Sequence, residues 1–235
     1  MPTGGGKSIC YQLPALLDRG QTLVISPLVS LMQDQVNQLN QRGIKSMFFD
    51  SLGSKNDIYR QLENALNGNF KLIYCSPERL TSREFLHQIE KLPIKGIAID
   101  EAHCISEWGH DFRPAFRLIK NLRLLFPQTP FMALTATATP KVLKDISTTL
   151  GLIHPKIFSK SFERENIQYQ VCYAEDKMGS LKKLLTNSTG ESIIIYCRSR
   201  SETENTSQQI QRWGLKVGFY HGGLEARQKK QGLED

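Results

Sequence analysis

The sequence predicts an α/β protein: a mostly parallel, doubly wound sheet flanked by helices, followed by the start of a second unit of the same kind. Three observations carry this. Short apolar, β-branched runs alternate with stretches whose apolar residues recur at helical spacing, and strand-helix alternation implies right-handed crossovers and a parallel sheet. Polar clusters stand at the carboxyl end of each apolar run, where open α/β sheets hold ligands. The chain also opens on a glycine-rich segment ending in Gly-Lys-Ser that runs straight into a helical pattern.

That opening segment, residues 1–8, has the pattern of a phosphate-binding loop. Thr3, Gly4, Gly5 and Gly6 let the backbone turn tightly and offer N–H groups to an anion. Lys7 can reach terminal phosphates, and the Ser8 hydroxyl can coordinate Mg²⁺. The helix beginning near Lys7, marked by Ile9, Leu13, Leu16 and Leu17, adds its N-terminal dipole. An incidental flexible glycine run would not lead into such a helix. The general pattern asks for Gly where Met1 stands and for a strand ahead of the loop, so the sequence reads as a fragment at this end.

The elements follow in order. The loop helix covers about residues 7–18, and Pro14 is expected to kink it. Residues 22–25 form a strand that stops at Ser26 and Pro27; Leu28, Leu31, Met32, Val36 and Leu39 then recur as a helix until Gly43. Residues 46–49 are a second strand, followed by a helix with Asn56 and Asp57 as candidate caps and Ile58, Leu62, Ala65 and Leu66 on one face. Strands at 71–75, 95–99 and 131–134 end at Ser76-Pro77, Asp100-Glu101 and Thr135-Ala136-Thr137. The first domain is therefore placed at 1–150. A looser segment with Pro155 and mixed charges makes 151–167 a linker. Strands at 168–173, 192–197 and 216–220, with helices at 176–186 and 202–213, place the start of a second domain at 168–235. About 70 residues are too few to complete a domain of the first one's kind.

Composition excludes little and suggests something. The formal charge of +7 is uneven: 19 Lys and Arg stand against 13 Asp and Glu up to Lys160, and 11 against 10 afterwards. A basic excess in the first two-thirds suits a polyanionic partner. The five cysteines are scattered, without a close pair of metal-ligand spacing, so neither a disulfide framework nor a zinc site is indicated. The polar start is no signal peptide and no apolar run approaches the roughly 18 residues of a membrane span, so a cytoplasmic protein is expected.

Asp100 and Glu101 are the partners a phosphate loop needs. Asp100 would hold Mg²⁺ through water, and Glu101 would orient and deprotonate an attacking water. Alone, the pair also reads as a helix N-cap. The phosphate loop upstream and the apolar strand before it decide for the catalytic role.

With these residues in view, the chain resembles the core of a superfamily 2 helicase with a DEAH-type box, and specifically the RecQ family of DNA helicases. The resemblance rests on residues 1–8, 26–35, 76–79, 100–114, 131–138, 161–166 and 194–200, in collinear order over essentially the whole chain. The run 100–114 is far more specific than the phosphate loop. The resemblance implies a RecA-like P-loop NTPase domain and the incomplete start of a second RecA-like domain. It implies ATP-dependent 3′-to-5′ DNA unwinding in repair and recombination, with ATP and Mg²⁺ as cofactors, DNA at a single-strand/duplex junction as partner, and a place at the bacterial nucleoid.

It also assigns roles. Trp108, Phe112 and Arg113 are similar to the family's aromatic-rich loop, which couples DNA contact to hydrolysis. Stacking faces beside a guanidinium suit single strands, although aromatics equally fill cores. Ser26, Pro27, Ser76 and Arg79 resemble strand-tracking motifs whose hydroxyls and N–H groups meet phosphates; as bare dipeptides they are turns. His103, Thr135 and Thr137 resemble the relay between the nucleotide and DNA sites, where a lone His or Thr also serves as a local hydrogen-bonder. Arg198, Arg200 and His221 fall where the second domain faces nucleic acid, or on a solvated surface. The family's adenine-reading segment, arginine finger, zinc-binding and winged-helix parts are missing from the sequence. An arginine finger is worth about 10³ to 10⁵ in rate, so this chain alone is expected to hydrolyse ATP poorly. An RNA-directed relative and a non-catalytic remnant that binds ATP or nucleic acid remain as other readings.

Overall fold

In the computed structural model, residues 5–49, 55–159, 166–188 and 190–224 are described, with side chains except at 55 and 56. Thr3 and Gly4, expected in the phosphate loop, and most of the charged segment 161–166 lie outside the described residues. The chain divides into two units, Met1–Arg164 and Glu165–Asp235.

The first unit is built on strands β1 (Gln21–Ile25), β2 (Ser46–Phe48), β3 (Leu72–Cys75), β4 (Ile94–Ile99) and β5 (Phe131–Ala133). All pairings are parallel, in the order β2-β3-β1-β4-β5. Every residue of β1 is buried, as expected of a central parallel strand covered on both faces. The two-residue period of the strands sorts the core into two layers. Leu23, Ile25, Ile73, Cys75, Ile97 and Ile99 point to one face, and Val24, Leu72, Tyr74 and Ala98 to the other.

Helices cover both faces. Met32, Val36 and Leu39 of α2 (Val29–Gln41) and Tyr11 and Ala15 of α1 (Lys7–Leu17) close the second layer. Leu62 and Ala65 of α3 (Lys55–Asn67), Phe85 and Ile89 of α4 (Arg83–Ile89), Leu122 of α5 (Lys120–Leu125), and Val142 and Ile146 of α6 (Pro140–Thr149) close the first. Helix α3 begins at Lys55, so Asp57 sits in its first turn, complementing the dipole, rather than at its cap. Because the strands are parallel, the carboxyl ends of β1, β3, β4 and β5 open on one edge of the sheet. The polar clusters meet there.

The second unit carries α7 (Lys177–Asn187), capped by Asp176 through Gly179 N–H (2.8 Å), and α8 (Arg200–Arg212), capped by Ser199 through Glu202 N–H (3.1 Å). The three strands expected here are a correction: among the described residues 168–173, 192–197 and 216–220 lie outside any strand ladder. Tyr169, Val171, Tyr173, Ile194 and Tyr196 are all exposed. The apolar alternation was real, but a strand exists only with a neighbour to pair with and a layer to cover it. Among the described residues, no helix is long and apolar enough to cross a membrane.

Ile73, fully buried in β3 between β2 and β1, tests the core assignment. Ile73→Ala is expected to cost about 3 kcal/mol in urea unfolding, whereas Leu17→Ala, on an exposed helical face, should change stability by less than about 0.5 kcal/mol.

Candidate functional site

The site begins where the loop enters α1. Gly6 is left-handed (φ 78°, ψ 25°), and its carbonyl accepts the first turn's hydrogen bond from Ile9 N–H at 3.0 Å. A side chain at this φ would be strained, which accounts for the glycine directly before Lys7. Ser8 Oγ accepts a hydrogen bond from Gln35 Nε2 at 3.1 Å.

Opposite the loop, β4 ends in the acidic pair. The ladder continues one residue past the strand: Asp100 N–H donates to Ile25 C=O (2.8 Å) and Leu134 N–H to Ile99 C=O (2.8 Å). The chain then turns through Glu101, which is left-handed (φ 47°, ψ 45°) although it has a side chain. Such a backbone is strained for a residue other than glycine, and functional sites collect strain of this kind. Two bonds hold it: Glu101 N–H donates to Asp100 Oδ1 (3.0 Å), and Ala102 N–H donates to Leu134 C=O (2.9 Å).

The two carboxylates are driven apart electrostatically. Burial first, then the neighbouring Glu101 charge, raises the Asp100 carboxyl above its ordinary value, while Lys7 pulls it back. Glu101 is held below its ordinary value, chiefly by its bond to His103, with Lys7 contributing. Adjacent carboxylates with opposite shifts suit different tasks. Glu101 stays ionised and able to accept a proton. Asp100 holds a desolvated charge that a cation would relieve.

His103, buried, joins Glu101 to the end of β5. Its Nδ1 lies 3.2 Å from Glu101 Oε2 and 3.0 Å from Thr135 Oγ1. Thr135 Oγ1 donates to Thr137 C=O (3.0 Å) and accepts from Thr137 N–H (3.1 Å). The hydroxyl's proton is thus committed elsewhere, and the network assigns the proton of the His103 contact to Nδ1. Thr137 Oγ1 meets His110 Nδ1 at 3.3 Å, and the His110 ring stacks on His103 with centroids 4.1 Å apart. From His103, to which Glu101 is joined, hydrogen bonds through Thr135 and Thr137 reach His110, and ring stacking returns the path to His103.

His110 lies between Trp108 and Phe112, so this ring ties the acidic pair to the aromatic loop. The loop is anchored on α6: Ser106, fully buried, donates to Asp145 Oδ2 at 2.7 Å and accepts from Trp108 N–H at 3.2 Å. Trp108 is 63% exposed, with Lys141 Nζ 3.0 Å from its ring centroid. Phe112 is half-buried, with Arg117 above it at 5.2 Å. Gly109 packs against the His103 carbonyl so closely that an added Cβ would collide with it.

The remaining expected residues are placed as follows. Arg113 turns inward: Nε and Nη2 donate to Asp111 Oδ2 (3.2 and 3.1 Å) and Nη1 to Pro27 C=O (3.0 Å), so it bolts the aromatic loop to the turn after β1. Ser26 and Ser76, adjacent across the β1–β3 ladder, are buried, and neither hydroxyl has a hydrogen-bond partner among the described residues. Arg79 Nε and Nη2 are likewise covered and unpartnered. In the second unit Arg200 opens α8 and is exposed, Arg198 is exposed, and His221 Nε2 pairs with Glu204 at 2.8 Å. His110, Asp145 and Lys141 were not anticipated. His110 carried a signal, standing between two aromatics singled out for DNA contact; the other two act from a helix distant in sequence.

A parallel α/β sheet with a glycine loop at a helix N-terminus and an acidic pair on its carboxyl edge defines a P-loop nucleotide-binding protein. The chain belongs to the DEAD/DEAH box helicase family, whose pattern residues 1–146 match. Over its full length it is 44% identical to the ATP-dependent DNA helicase RecQ of Bacillus subtilis, covering 40% of that protein. It is 42% identical to the ATP-dependent DNA helicase Q1 of Rattus norvegicus, with 96% of this chain and 38% of that protein covered. The chain thus spans about two fifths of these relatives. The resemblance to RecQ helicases runs through all of it. The fold is the RecA-like helicase fold: the helicase MrfA bound to DNA and AMPPNP matches with TM-score 0.65 at 21% identity over 90% of this chain and 33% of that one. The Mycobacterium smegmatis helicase Lhr bound to ssDNA and AMP-PNP matches with TM-score 0.64 at 19% identity over 100% and 35%.

The raised Asp100 carboxyl yields a stability prediction. Its charge costs nothing below the ordinary carboxylate range and costs progressively more as pH rises through the raised value. Asp100→Asn removes that cost, so at neutral pH without divalent cation it should stabilise the fold by about 1 kcal/mol in urea unfolding. The difference should vanish below the carboxylate range.

Proposed function

We propose that the chain is motor machinery of an ATP-dependent DNA helicase of the RecQ type, which couples hydrolysis to 3′-to-5′ unwinding at single-strand/duplex junctions. The contacts that run from Glu101 through His103, Thr135 and Thr137 to His110, by hydrogen bonds and by the stacking of the two histidine rings, carry this reading, because they join a candidate general-base carboxylate to the loop that bears the exposed Trp108. Residues 1–150 would be the ATP-binding domain, 151–167 the linker and 168–235 the start of the second motor domain. Repair and recombination of chromosomal DNA, in the cytoplasm at the nucleoid, would be its setting.

Mg²⁺ accompanies the nucleotide in this reading, and the residues fit it. Among the described residues no cluster of three or more His, Cys, Asp or Glu stands ready for a metal. Mg²⁺ needs only one or two hard oxygen ligands from protein beside phosphate oxygens and water. Ser8 Oγ and the desolvated Asp100 carboxylate are of that kind. Bound there, Mg²⁺ would neutralise charge on the phosphates.

The chain's own groups do the rest. Lys7 and the N–H groups at the start of α1 bind the phosphates. Glu101, kept ionised by His103, orients a water and takes its proton. The left-handed backbone aims that carboxylate, and His103 Nδ1, shared between Glu101 and Thr135, holds it in place. A strand stacked on Trp108 would have to displace Lys141 from its ring, shifting His110 and with it His103. The Ser26 and Ser76 hydroxyls and the Arg79 Nε and Nη2 are covered and unpartnered among the described residues, so strand phosphates would become their partners once the turns after β1 and β3 opened.

Nucleotide binding measured with a fluorescent ATP analogue and Mg²⁺ tests the first half. Lys7→Ala should weaken it at least tenfold, while Glu101→Gln should retain it and lower any DNA-stimulated hydrolysis by about 10² or more. Affinity indifferent to Lys7 would favour a remnant without nucleotide chemistry. Quenching of Trp108 by oligodeoxythymidylate tests the second half. An equal or stronger response to oligouridylate would move the substrate to RNA.

A further inference from the structure

A half-buried polar network beside the start of α1 is not explained by any role given so far. Gln35 of α2 accepts at Oε1 from the Tyr11 hydroxyl (2.7 Å) and the Tyr74 hydroxyl (3.0 Å), with Gln12 Nε2 further off at 3.5 Å. Its Nε2 donates to Ser8 Oγ at 3.1 Å. Tyr11 and Tyr74 are 2% and 1% exposed and meet edge to face, 6.4 Å between centroids.

These contacts fix the amide. Burial raises both phenols above their ordinary value, so they stay protonated and donate. Two phenolic protons on one side of Gln35 require the oxygen there, and the NH₂ group is turned towards Ser8. One lone pair of the Ser8 hydroxyl is then occupied. The Ser8 hydroxyl is also within hydrogen-bonding reach of Tyr11, which leaves its remaining lone pair for a ligand at the loop. A serine hydroxyl otherwise rotates freely among three staggered positions.

We infer that Gln35 is a positioning residue for the nucleotide site: it sets the rotation of the Ser8 hydroxyl so that its free lone pair meets the divalent cation of a bound nucleoside triphosphate. The inference rests on the nucleotide-site reading of Ser8. It makes α2 part of that site. This helix begins just after the Ser26-Pro27 turn, where the Pro27 carbonyl is held by Arg113 of the aromatic loop. One rigid helix therefore carries the loop's anchor at its entry and the Ser8 contact two turns later.

The test is a double-mutant cycle on the chain, reading the affinity for fluorescent ATP with Mg²⁺ and with EDTA. Gln35→Met and Gln35→Leu both put an apolar side chain of similar size in place and lose the amide without adding charge. Both should reduce the Mg²⁺-dependent gain in affinity about five- to tenfold, the worth of one hydrogen bond to a binding site, and leave the EDTA affinity unchanged. In a Ser8→Ala background neither should have a further effect. Losses equal in Mg²⁺ and EDTA, or losses that persist in Ser8→Ala, would overturn the inference and leave Gln35 a packing residue. A parent chain whose affinity ignores both Mg²⁺ and Lys7→Ala would overturn the nucleotide-site reading, and the inference with it.

Discussion

Everything at the site hangs on the way β4 leaves the sheet. Its ladder runs one residue beyond the strand on both sides, to β1 through Asp100 and to β5 through Leu134. The backbone then reverses through a left-handed Glu101. A strained residue persists only where its surroundings over-determine it. Here the surroundings are a central parallel strand with every residue buried, and a segment two residues past β5 where Thr135 meets His103. The core is what allows two carboxylates to stand side by side on a backbone they would not adopt alone.

Burial then differentiates the pair. The Asp100 carboxyl is raised because water is excluded and another charge is adjacent; Glu101 is lowered because it is hydrogen-bonded to His103. Both follow from the reversal of the chain just past β4, which leaves Asp100 buried and brings Glu101 to His103. The same geometry hands the aromatic loop its place, since the 3-10 turn Ala102–Ile105 that follows is packed under it and against α6.

Much of this was legible in the sequence, for reasons that differ by residue. Apolar runs such as Leu72–Cys75 declare buried parallel strands because both faces are covered, and the polar residues that end them mark the sheet's carboxyl edge. Lys7, Asp100 and Glu101 were singled out because their spacing to a glycine loop and a strand end has a mechanism behind it. What was not legible depends on three-dimensional juxtaposition. Nothing local announces that Arg113 turns inward to Pro27, that Asp145 anchors Ser106, or that Gln35 reaches Ser8. The expected strands of the second unit fail for the complementary reason: Val171 and Tyr196 have β propensity, but a strand also needs a ladder partner.

The central claim is that the proposed nucleotide site and the proposed nucleic-acid surface are joined through His103, Thr135, Thr137 and His110, so binding at one is expected to change affinity at the other, and by the same factor in both directions. The direct measurement is the dissociation constant for a single-stranded DNA oligomer with and without saturating Mg²⁺ and non-hydrolysable nucleotide, paired with that for the nucleotide with and without saturating oligomer. The account predicts equal factors in the two directions, collapsing to unity in Thr135→Val, where the hydroxyl that holds His103 is gone. Independent binding in the parent chain, or a coupling factor that survives Thr135→Val, would contradict it.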